Sequence, residues 1–95
     1  MENKQLVDIE HTTLDFYKYE KDSLTFYEFD ATMSQAPEPM VNTMCALKML
    51  VDKNDRLVGR FFHEPFPLFQ RIEKNFIYES KELEDGNFLV TFCKK

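Results

Sequence analysis

The sequence lacks most of the features that announce a function. It has no run of Lys or Arg; 12 basic residues are scattered among 17 acidic ones, for a net charge of −5 and a pI of about 5.0. A phosphate backbone is held chiefly by clustered cations, so no nucleic-acid partner is expected. No apolar stretch approaches the ~20 residues of a membrane-spanning helix. The start, Met1 to Gln5, is polar and lacks the apolar core of a secretory signal. A cytoplasmic protein with no membrane association is the expectation. Two cysteines, Cys45 and Cys93, show neither a CxxC nor a zinc-ligand spacing and are expected to be reduced.

What is present is an aromatic-rich single domain. Hydrophobic residues make up 43% of the 95, with ten Phe and four Tyr, enough for one core. Thr13 to Glu20 (TLDFYKYE) is echoed in kind by Ser23 to Asp30 (SLTFYEFD). Aromatic residues favour strands, so the pair reads as a hairpin turning at Glu20-Lys21-Asp22, with a helix over 12–22 as the alternative. Residues 1–12 read as a loosely attached arm or one helical turn.

Two helices are entered by the same device, Pro-x-Pro. Ala36-Pro37-Glu38-Pro39 precedes a helix over 37–51, with apolar Met40, Met44, Leu47 and Val51 at helical spacing. Met33, Met40, Met44 and Met49 suit an adaptable binding surface, although Met44 is expected in the core. Glu64-Pro65-Phe66-Pro67 precedes a second helix over 65–75, with Glu64 as its N-cap. Pro at a first helical turn removes an N–H that would be unpaired anyway. The same substitution leaves fewer donors for an anion than a Gly-rich loop offers. Leu57 to Phe62 reads as a central strand, Phe76 to Leu83 and Phe88 to Phe92 as a hairpin turning at Glu84-Asp85-Gly86-Asn87.

From residue 24 the order is β-α-β-α-β-β. The fold class expected is α+β, a two-layer α/β sandwich. It has a mixed four-stranded sheet with two helices on one face, and residues 1–23 as an N-terminal extension that adds an extra strand or remains an arm. Parallel strands joined by a helix cross over right-handed. The strand 24–30 and the strand 57–62 therefore end at one sheet edge, and both Pro-x-Pro entrances meet there, where open α/β sheets bind ligands.

This order, an Asp closing the first strand (Asp30) and x-Pro-Glu-Pro six residues later resemble the TusA-like sulfur-carrier superfamily. The segment His63-Glu64-Pro65-Phe66-Pro67-Leu68 resembles the His-x-Pro-x-Pro-Leu segment of a branch of that superfamily known as a domain of unknown function. The closing Glu84 to Phe88 hairpin fits the same branch, and the resemblance covers residues 24–95. In sulfur carriers the residue before Pro-x-Pro is a Cys carrying a persulfide at a helix N-terminus, where the dipole favours a thiolate. Here Ala36 stands in that place. Thr32 and Met33 replace the usual Arg-Gly pair. The resemblance thus implies the scaffold and its edge site rather than the sulfur chemistry.

The candidate binding residues are His63, Glu64, Ala36, Glu38, Asp30 and Gln35. His63 leads because an imidazole suits proton transfer, metal ligation or anion pairing; the plainer role is a hydrogen bond to a loop carbonyl. Glu38 and Glu64 sit where negative charge favours a helix start. Asp30 either caps the following loop onto the first helix or joins His63 and Glu64 around a metal. His11 is expected in solvent. No catalytic residue, cofactor or metal ligand is assigned. The first reading is a non-catalytic binding or adaptor module for a protein or small-molecule partner. The alternatives are a persulfide carrier using Cys45 or Cys93, or a small metal or redox-linked accessory protein centred on His63. Self-association as a homodimer is placed on an exposed edge of the aromatic run 16–29.

Overall fold

The computed structural model describes residues 3–95. Six strands and two helices follow in the order β1 (Gln5–Val7), β2 (Phe16–Lys21), β3 (Leu24–Asp30), α1 (Glu38–Leu47), β4 (Asp55–Phe61), α2 (Phe66–Ile72), β5 (Phe76–Glu82) and β6 (Phe88–Lys94). The α+β class holds. The sheet, however, has six strands rather than four, in the order β1-β2-β3-β4-β6-β5. β3 and β4 are parallel and all other neighbours antiparallel.

The hairpin reading of the aromatic echo is right, with its turn shifted. Lys21 pairs with Leu24, and Asp22 and Ser23 take φ of 54° and 66°. Two consecutive residues at positive φ form the tight turn whose twist matches antiparallel strands. The second hairpin turns where expected: Gly86, at φ 88°, donates to the Leu83 carbonyl, and Leu83 donates to the Asn87 carbonyl at 2.7 Å.

Alternation places one set of side chains under both helices. Phe16, Tyr27, Phe29, Leu57, Phe61, Val90 and Phe92 from the strands join Ala46, Leu47, Leu68, Phe69 and Ile72 from the helices in one buried cluster. Phe16 stacks on Phe29 at 4.7 Å between centroids, and Phe29 meets Phe61 edge-on. Gly59 lies beneath those rings. A Cβ there would come within 2.7 Å of the Phe29 ring, so the central strand has room for glycine alone.

The N-terminal segment is an integral part of this packing and not a loose arm. Ile9 is buried in the core and β1 pairs with β2. Asn42, fully buried on α1, ties the segment down. Its Oδ1 accepts from the Thr13 and Leu14 amides at 2.8 and 3.0 Å. Its Nδ2 donates to Thr13 Oγ1 and to the Glu38 carbonyl, both at 2.9 Å. This use of α1 rotates its buried stripe to Asn42, Thr43, Ala46 and Leu47. The sequence spacing placed Met44 in the core; it is more than a third exposed, and Val51 lies beyond the helix end in solvent. Apolar periodicity alone is misleading here, because the buried face of α1 is shared with a polar tether.

Candidate functional site

The parallel register pairs Asp30 with Arg60, so β3 and β4 end together. The Ala31 amide extends that ladder by donating to the Arg60 carbonyl at 2.8 Å. From this point the chain leaves by two neighbouring segments, 31–37 into α1 and 62–65 into α2. Each helix has a proline at its N-cap, Pro37 and Pro65, and neither N-terminus receives a side-chain hydrogen bond. The expected cap at Glu64 is therefore absent; its carbonyl accepts from the Phe66 amide instead. Ala36–Pro37 is a cis peptide.

A pocket of about 360 Å³ opens between the two segments. Ala31, Ser34, Gln35, Ala36 and Pro39 line it from the first, and Phe61, Phe62 and His63 from the second. The strand edge thus brings together three of the six expected site residues, Ala36, Gln35 and His63. The walls are mainly hydrocarbon and aromatic, with a hydroxyl, an amide and an imidazole at the margin. The His63 ring meets Phe62 edge-on at 4.6 Å. It makes no hydrogen bond among the described residues, in contrast to the loop-carbonyl contact expected of it.

The other three candidates do not line the pocket. Glu38 accepts from Thr13 Oγ1 at 2.5 Å and so faces the N-terminal segment. Asp30 folds back on its own loop, accepting from the Thr32 amide at 2.8 Å and the Thr32 hydroxyl at 2.6 Å; it caps the turn after β3 rather than α1. Glu64 is half-buried and does not line the pocket. Among the described residues no group of three His, Cys, Asp or Glu lies close enough to hold a metal, so the Asp30, His63 and Glu64 set is not assembled. Neither Cys45, on α1, nor Cys93, on β6, lines the pocket.

Phe61 and Phe62 were missed as site residues. The signal was available: two aromatics end a strand whose side chains alternate, so one must face the core and the other must not. Phe61 is buried and Phe62 is 59% exposed. Phe66, 60% exposed at the start of α2, and Met33, 95% exposed in the segment before α1, are further apolar side chains left in solvent. A larger depression of about 620 Å³ lies on the uncovered face of the sheet, lined by Tyr17, Glu28, Asp30, Val58 and Arg60 among others. Its polar groups are partly engaged already, with Lys4 bonded to Glu28 at 2.9 Å and Asp30 to Thr32.

No family model, curated protein or solved structure matches the chain. No helix among the described residues is long and apolar enough to cross a membrane.

Proposed function

We propose that this chain is a non-catalytic binding module on a sulfur-carrier-like scaffold, with its site in the pocket between the two Pro-entered helices. The observation that carries the reading is the pocket itself. It is built from both entrances, is mostly apolar, and has in its wall Phe62, a side chain that a free domain gains little by exposing. A concave apolar seat with a few polar groups at its rim suits recognition. An exposed aromatic ring in the wall of such a seat suits a protein partner that inserts one apolar side chain, with His63 and Gln35 left to meet its polar backbone. Ala36 leaves no thiol where a sulfur carrier keeps one, and both cysteines lie away from the pocket, which favours binding over sulfur transfer.

The test uses capped amino acids as stand-ins for such a side chain. Titration of N-acetyl-leucinamide and N-acetyl-phenylalaninamide into isotopically labelled protein is expected to shift the amides of Ser34, Ala36 and His63. Ala36→Phe, which fills the pocket from an exposed position, is expected to abolish those shifts while leaving the melting temperature unchanged. Absence of shifts at the entrances, or shifts that survive Ala36→Phe, would sink the assignment. Native mass spectra after incubation with a persulfide donor test the carrier reading separately; a transferable sulfur on Cys45 or Cys93 would replace the proposal with it.

A further inference from the structure

Among the described residues the sheet has two free edges, and they differ in kind. β1 offers three residues; β5 offers seven, with no strand beyond it. The aromatic run 16–29, expected as the self-associating edge, is instead interior, since β2 and β3 each have neighbours on both sides. The direction of the unpaired groups on β5 follows from its ladder. Leu83 donates to the Asn87 carbonyl and Lys95 donates to the Asn75 carbonyl. Odd-numbered residues from 75 to 83 therefore bond to β6, and Tyr78, Ser80 and Glu82 turn their N–H and C=O groups outward.

We infer that β5 is a homodimerisation edge, pairing antiparallel with β5 of a second copy about a two-fold axis at Ser80. The charge pattern selects this register. Centring on Ser80 sets Glu79 opposite the second copy's Lys81 and Lys81 opposite its Glu79. Shifting the centre to Glu79 or to Lys81 places like charges face to face, which disfavours pairing. The same register opposes Ile77, 54% exposed, to Leu83 of the second copy. It also gives outward-facing backbone to outward-facing backbone, so Tyr78, Ser80 and Glu82 each both donate and accept across the axis.

An independent observation sits at the centre. Ser80 Oγ is buried and has no hydrogen-bond partner, though buried polar atoms are normally satisfied. On the axis, the two Ser80 side chains stand directly opposite on one face, and a turn about the Cα–Cβ bond brings each hydroxyl from its covered position to the edge, where it gains a partner. A two-fold interface of this kind is closed and self-complementary, so it ends at two copies and does not propagate into a fibre.

The experiment is sedimentation of the full chain from micromolar to millimolar concentration. Wild type is expected to approach twice its 11.4 kDa mass. Lys81→Glu, at an exposed position, is expected to weaken dimerisation by about tenfold or more, and Glu79→Lys with Lys81→Glu together is expected to restore it. Ser80→Pro removes an outward N–H that β6 does not use and is expected to leave a folded monomer. Hydrogen exchange on unmodified protein gives a second reading: the Tyr78, Ser80 and Glu82 amides are expected to slow as concentration rises. A wild type that stays monomeric, a Lys81→Glu variant that dimerises like wild type, or a double variant that stays weak would each overturn the inference.

Discussion

The two helix entrances are built alike and held differently. Both follow parallel strands, both carry Pro-x-Pro, and both lack a side-chain cap. Above the first, Asn42 uses all its hydrogen-bonding groups to join α1 to Thr13, Leu14 and the Glu38 carbonyl. The position one turn into α2 is Gln70, which is exposed. The first entrance is thus fastened from above by the N-terminal segment. The second ends in aromatic side chains left in solvent. A fastened wall facing an uncovered one is an arrangement suited to binding, since the first gives the pocket a fixed shape and the second gives a partner something to cover.

The sharpest way to break the comparison is Asn42→Ala. It leaves the Thr13 and Leu14 amides without their acceptor and a cavity where the fully buried amide stood, so a loss of about 2–3 kcal/mol in urea unfolding is expected. Gly59→Ala acts on both entrances at once, because the added methyl meets the Phe29 and Phe61 rings beneath the parallel pair. The expected loss is ~1–3 kcal/mol, the usual cost of overpacking, read as a lower melting temperature. Phe62→Ser should change stability by less than about 1 kcal/mol, given how much of the ring is already exposed, while removing the response to capped amino acids. Gln70→Ala is the control and is expected to stay within about 0.5 kcal/mol of wild type. Equal losses for Asn42→Ala and Gln70→Ala would end the distinction between the two entrances.

The edge site was legible in outline because it follows from order alone. Once two strands joined by a helix are parallel, their ends coincide, and Ala36, Gln35 and His63 are brought to one place. Asp30 and Glu38 are as close in sequence but serve a loop and the N-terminal segment, and Glu64 does not line the pocket; spacing cannot tell a side chain's direction at a turn. Met44 shows the same limit on a helix: its periodicity is right, and the helix is turned to bury Asn42 instead.

The sequence by itself determined the alternation of strands and helices, the Asp-Gly turn, the Pro-entered helix starts and the edge where they meet. These depend on local backbone preferences and on the handedness of crossovers, which neighbouring residues set. Only the tertiary structure decided that residues 5–7 add a sixth strand, that a buried Asn tethers the N-terminal segment at Thr13 and Leu14, and that β5 rather than the aromatic run is left as the long free edge. Those outcomes depend on which distant groups satisfy one another's hydrogen bonds and buried surface, and no stretch of chain carries that information alone.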